Sequence, residues 1–143
     1  MTDLYHRILA LHRKVYIGSG GKLGHRLLFG NPTLLLRATG RRTGKERVTA
    51  LTYAEDGADV LVVASAGGAD RAPAWLGNLQ ADPDCEVQIG SERRRSRAHV
   101  TGPDDQDYAR RWALMDAVNK GRYTEHQAKT SRTIPIVVLS PVE

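Results

Sequence analysis

Apolar residues recur along this chain with two periods, and the switches between them mark out its elements. Leu4, Ile8, Leu11 and Val15 fall at helical spacing while His6, Arg7, Arg13 and Lys14 lie off that stripe, which predicts an amphipathic helix over residues 3–16. Gly18, Gly20, Gly21 and Gly24 end it. After Asn31 and Pro32 the run 33–38 reads as a strand. Residues 48–54 and 59–64 follow, both rich in β-formers and joined by Glu55, Asp56 and Gly57, which is the signature of a hairpin. Between the first strand and this pair lies a tight basic loop, residues 40–45.

A second glycine loop, 65–70, precedes Pro73, a residue suited to a first helical turn, and predicts a helix to about Gln80. The turn at Asp82 and Pro83 releases the chain into a second hairpin, 85–89 with 93–100, turned at Gly90 and Ser91. Asp104 or Asp105 is placed to cap a helix whose apolar stripe is Tyr108, Trp112, Met115 and Val118. A short helical stretch, 123–128, and a last strand, 134–139, complete the chain. Six short strands with helices at the ends and one between hairpins predict a mainly β, α+β fold, a closed or nearly closed antiparallel barrel.

Composition narrows the function classes. A chain of 143 residues supports one core and one domain, 1–143. Its longest apolar runs fall far short of the roughly 20 residues of a membrane span, and the charged N-terminus does not resemble a secretory signal. The cytoplasm is the expected address. Cys85 is the single cysteine, which excludes an internal disulfide and a Cys-x-x-Cys metal pair; it reads as a buried strand residue. His6, His12, His25, His99 and His126 show no metal-binding spacing, so no metal is expected. A net charge of +5 and a pI near 9.7 favour an anionic ligand without naming it.

Several motifs fail on inspection. Gly40 to Lys45 is one residue short of a P-loop, with Glu46 where Ser or Thr would bind magnesium. The glycines near position 20 follow a helix and miss the dinucleotide register. Ser65 lacks the first glycine of a nucleophile elbow. Arg93, Arg95 and Arg97 share a strand face, but without aromatic residues to stack bases they read as a solvated face, and no nucleic-acid partner is expected.

Two loops carry chemistry. Arg41, Arg42 and Arg47, with Thr43 and Gly44, bring guanidinium forks and free amides to one small volume, a receptor for phosphate or carboxylate; taken alone, the loop is equally an exposed basic turn. Ala64, Ser65, Ala66, Gly67 and Gly68 then run toward Pro73, Trp75, Asn78 and Leu79, which sets flexible backbone beside a helix N-terminus. These segments follow G-R-x-[ST]-G-x-x-R, A-S-x-G-G and P-x-W-x-x-N-L in order. From Leu34 to Val138 the chain therefore resembles the deazaflavin-dependent nitroreductase family, whose closing strand is similar to the stretch from Arg132 to Val138.

The resemblance implies a split β-barrel of the flavin-reductase type and coenzyme F-420, a deazaflavin whose tail bears a phosphate and several glutamates. It implies that Arg41, Arg42, Thr43, Gly44 and Arg47 hold the tail. Val63, Ala64, Ser65, Gly67 and Gly68 would lie along the ring system. Trp75 either contacts the cofactor or anchors its helix, and Asn78 either binds the cofactor or caps local backbone. The family also carries a lysine where Ala66 stands and a proline where Glu46 stands. The implied activity is hydride transfer from reduced F-420 to a small electron-poor acceptor such as a quinone, an activated alkene or a nitro compound, with Ser65, Tyr123 and His126 as catalytic candidates. A flavin mononucleotide enzyme of the pyridoxamine oxidase type and a non-catalytic deazaflavin carrier are the alternatives. The helix at 3–16 either packs over the barrel mouth or rests on a membrane, and the oligomeric state stays open, a homodimer included.

Overall fold

A computed structural model describes residues 31–142; the helix expected at 3–16 lies outside them. Seven strands are present: β1 (Thr33–Thr39), β2 (Glu46–Thr52), β3 (Ala54–Asp56), β4 (Asp59–Val63), β5 (Asp84–Ile89), β6 (Glu92–Thr101) and β7 (Ile136–Pro141). Helix α1 (Ala74–Ala81) sits between β4 and β5, and α2 (Tyr108–Val118) and α3 (Arg122–Ala128) sit between β6 and β7.

All pairings are antiparallel, in the order β2-β1-β5-β6-β7-β4-β3. The two edge strands of this order, β2 and β3, are separated in sequence by Tyr53 alone. The sheet must therefore curl until its edges are neighbours, which makes the expected, nearly closed barrel.

The hairpin expected between 48–54 and 59–64 is not formed as one unit. Residues 46–52 pair with β1 across the arginine loop, Ala38 opposite Arg47 and Leu34 opposite Leu51. The chain breaks at Tyr53, whose N–H donates to the Pro32 carbonyl at 3.2 Å, and only β3 folds back on β4 around a two-residue turn at Gly57 and Ala58. One predicted strand thus becomes two, on opposite edges. The last strand is also displaced: Ile134 spends its N–H on Gln127 Oε1 at 2.9 Å and its carbonyl on the Tyr108 hydroxyl at 2.6 Å, so pairing starts at Ile136.

Alternation along each strand gives the sheet two apolar faces. Inside the barrel, Leu34, Leu36, Val60, Val62, Val87, Val137 and Leu139 close around Trp75, Leu76 and Leu79 of α1. Outside, Leu61, Val63, Ile136 and Val138 are covered by Met115 of α2 and Tyr123 of α3, with Tyr108, Trp112 and Val118 packed against them as the helical stripe predicts. Helix α2 begins after Asp107, not at Asp104 or Asp105; the Asp105 carboxylate instead accepts the Asp107 N–H at 2.8 Å.

On the outer face of β5 and β6 the expected solvated arginine row is present. Arg93 bonds Glu86, and Arg97 lies 3.2 Å from Asp84.

Candidate functional site

The 40–45 turn is closed by two backbone bonds, Gly44 N–H to the Gly40 carbonyl and Gly40 N–H to the Lys45 carbonyl, both 2.8 Å. Gly44 sits at φ 72, a region that favours glycine. Thr43 Oγ1 accepts the Lys45 N–H at 3.3 Å.

The three arginines of this loop are in different states. Arg41 is tied to α1: its backbone N–H and its Nη1 both donate to Asn78 Oδ1, at 3.1 and 2.9 Å, and Nη1 also donates to the Ala74 carbonyl at 2.9 Å. A Cβ on Gly77 would stand 2.8 Å from Arg41 Cζ, so the bare helix surface there is what admits the guanidinium. Arg42 and Arg47 are exposed, and with Arg71 they make no ion pair among the described residues. All four arginines, with Thr43 and Asn78, line one open cavity of about 520 Å³. A concave surface with three guanidiniums free of carboxylates has the chemistry to accept an anion.

The second loop follows β4. Ser65 is buried, and residues 66–68 make one 3-10 turn with Ala66, Gly67 and Gly68 at φ 48, 68 and 87. Gly68 has a further constraint, since a Cβ there would lie 2.6 Å from the His126 carbonyl oxygen of α3. That close approach brings the catalytic candidates together. Ser65 Oγ and His126 Nδ1 share a hydrogen bond at 3.1 Å, and the Tyr123 ring stands edge-on to the imidazole with centroids 5.9 Å apart. Burial holds His126 below its ordinary pKa, with Lys129 adding to the shift, so the ring is neutral at neutral pH.

Val63 packs on the outer face and Ala64 in the barrel interior. The Ala64 N–H is spent on the Pro135 carbonyl at 3.2 Å. Trp75 fills the barrel core, and buried Asn78 holds Arg41. Gly67 has open space where a Cβ would be.

Sequence reasoning missed Arg71 and the contacts of Arg132. A lone arginine two residues before the helix-starting Pro73 was the available signal for Arg71. Arg132 carried none, because its partners are backbone carbonyls more than sixty residues away. Among the described residues no group of side chains is arranged to hold a metal ion.

Residues 8–141 match the F420H(2)-dependent quinone reductase family. An F420H(2)-dependent quinone reductase of Mycobacterium tuberculosis is 46% identical over 134 residues, 94% of this chain and 90% of the relative. Among solved structures, an F420-H2 dependent reductase (FDR-A) superposes with a TM-score of 0.69 at 30% identity, over 76% of this chain and 94% of its own. Another, described as a domain-swapped dimer, superposes with a TM-score of 0.72 at 27% identity, over 97% of this chain and 98% of its own.

Proposed function

Because the chain belongs to the F420H(2)-dependent quinone reductase family, we propose that the arginine cleft holds the acidic tail of coenzyme F-420 and that the Ser65 loop and α3 form the wall at which a quinone is reduced. The protein is an oxidoreductase on the split-barrel fold, and F-420 is its cofactor. The residues fit that group: the cleft offers Arg42, Arg47 and Arg71 without competing carboxylates, matched to a phosphate and several glutamates.

When bound, reduced F-420 supplies a hydride, and the quinone needs one proton besides to become a hydroquinone. The chain's contribution is to place and stabilise charge. Ser65 and the neutral His126 share one hydrogen between Oγ and Nδ1, so one of them is left to donate toward the oxygen where negative charge develops. Tyr123, buried against the imidazole, fixes its ring plane. Burial of Ser65 and Tyr123 keeps water from competing for that hydrogen bond.

One observation carries this reading: the stretch 65–73 begins at Ser65, bonded to His126, and runs into the cleft, where Arg71 joins Arg42 and Arg47. Titration with F-420 and, in parallel, flavin mononucleotide, followed by turnover with a quinone, tests it. We expect Ser65→Ala and His126→Gln to cut kcat by roughly 10²-fold, the lower range for a placed proton-transfer group, with F-420 affinity within a few-fold of wild type. Full turnover in both variants removes the cluster from the mechanism.

No described helix is long and apolar enough to cross a membrane. A cytoplasmic address remains part of the proposal, and liposome sedimentation with and without anionic lipid decides between the two placements expected of residues 3–16, packed over the barrel mouth or resting on a membrane. A second copy of the chain as partner is supported by the domain-swapped relative; light scattering reads the state directly.

A further inference from the structure

The 65–69 turn is an unusual piece of backbone to leave at a reaction site. Three successive residues sit in the left-handed region; Gly67 and Gly68 adopt it freely, but for Ala66 it is a conformation that persists only where the surroundings over-determine it. The turn also lies beyond the last β4–β7 pair, Val63 with Ile136, so its carbonyls have lost the ladder.

Arg132 supplies what the ladder does not. Its Nε donates to the Ala69 carbonyl at 2.8 Å, and its Nη2 donates to the carbonyls of Ser65 at 2.8 Å and Ala64 at 3.2 Å. One planar fork therefore spans the whole turn, from the residue before Ser65 to the residue after Gly68. The arginine is itself pinned. Its carbonyl accepts Gln127 Nε2 at 2.7 Å and its N–H donates to Thr130 Oγ1 at 3.3 Å, while the Thr130 hydroxyl donates to Asp70 Oδ1 at 2.8 Å. Among the described residues no carboxylate pairs with Arg132, so its charge stays uncompensated beside Ser65.

We propose that Arg132 is a positioning residue for hydride transfer: it holds the Ser65 turn in its strained geometry, and so sets the distance between Ser65 and His126, while its unpaired charge favours the negative charge that develops on the acceptor. This rests on the reading of the Ser65 and His126 cluster given above. Lysine in its place keeps the charge but cannot reach three carbonyls in one plane, and glutamine keeps neither.

The test uses the full chain as Arg132→Lys, Arg132→Gln and Thr130→Val, the last loosening the Asp70 strap without touching the guanidinium. Amide hydrogen exchange of residues 65–69 in the cofactor-free protein reads the clamp, F-420 titration reads cofactor binding, and quinone turnover against pH reads the chemistry. The expected result is faster exchange confined to the turn, F-420 affinity within about threefold of wild type, and a kcat loss of roughly 10- to 100-fold in Arg132→Gln, as small misplacements at a reacting centre produce. Arg132→Gln should also displace the pH profile of turnover; Arg132→Lys should lie between it and wild type, and Thr130→Val should show the same changes to a smaller extent. Unchanged kcat and pH profile in a folded Arg132→Gln overturns the proposal, as does a fall in kcat matched by equal losses of F-420 affinity and melting temperature. If Arg132→Gln does not fold, an unchanged exchange rate and pH profile in Thr130→Val overturns it. Wild-type protein that turns over normally while Ser65→Ala and His126→Gln also do so would instead sink the cluster reading, leaving the exchange result for the clamp intact.

Discussion

Arginines that look alike in sequence are distinguished by what each touches. Arg47 stands opposite Ala38 in the β1–β2 ladder, so its backbone is fixed, yet its guanidinium is unpaired among the described residues. Arg47→Ala should therefore weaken F-420 binding by roughly 1.5–3 kcal/mol, the range for a hydrogen bond to a charged group. Arg47→Lys should restore part of that, and the melting temperature without cofactor should barely move; a large drop in the unliganded melt would make Arg47 structural. Arg41 behaves differently. Its place at the turn predicts a side chain free in water, but Arg41 is bound to Asn78 and Ala74, so Arg41→Ala should lower the unliganded melt more than Arg47→Ala does. The residue types were legible in the sequence. Their allocation was not, because it depends on the missing side chain of Gly77, 36 positions further on. Cys85 lies in β5 as expected but is half-buried rather than buried, and desolvation pushes its thiol up to about 12. A thiol-reactive reagent at neutral pH should label it much more slowly in the folded protein than after unfolding.

Elements were read well where one local pattern decided them and poorly where two patterns competed. The stripe at Tyr108, Trp112, Met115 and Val118 specified α2 and its buried face. Residues 46–56 instead carry strand propensity throughout, and which partner each part takes is fixed by the arginine turn on one side and by α2 on the other. The tip of the β3–β4 hairpin is fastened to α2 through Asp56, whose carboxylate accepts Arg110 Nη1 at 2.8 Å and Arg111 Nε at 3.0 Å. Those two hydrogen bonds outweigh desolvation and hold the Asp56 pKa at about 2, down from 3.8. A depressed carboxylate stabilises the fold above its unfolded pKa, and that contribution is lost as pH falls through the folded value. Asp56→Asn should thus be less stable than wild type near neutrality, by an amount on the order of 1 kcal/mol for a partly exposed pair. The gap should close between about pH 4 and pH 2, read from urea melts. A gap independent of pH would assign the effect to packing.

At the scale of the molecule, charge among the described residues is divided more sharply than the net value of +5 conveys. Arg93 and Arg97 on the outer sheet face are neutralised by Glu86 and Asp84, and Arg110 and Arg111 by Asp56, Asp105 and Asp107. Among the described residues Arg42, Arg47 and Arg71 in the cleft pair with no carboxylate, so three uncompensated guanidiniums stand together where the acidic tail would lie. The barrel class was legible in the strand pattern and in the order of three sequence motifs, whereas the curl that joins the β2 and β3 edges through Tyr53 arises only when every pairing is known. The charge division makes a prediction about binding. These guanidiniums are exposed, so ions screen them over a Debye length that shrinks from about 10 Å at 0.1 M salt to 3 Å at 1 M. F-420 affinity should fall several-fold across that range, while a deazaflavin lacking phosphate and glutamates should bind weakly with little salt dependence. Flavin mononucleotide, with one phosphate to offer three guanidiniums, should bind more weakly than F-420 and lose less to salt. The decisive comparison is the salt slope of all three ligands on wild type and on Arg71→Ala, a residue that touches neither the barrel core nor the Ser65 cluster. If the slope for F-420 is unchanged in that variant, Arg71 does not meet the tail; if no ligand shows a slope in wild type, the cleft is not where the tail is held.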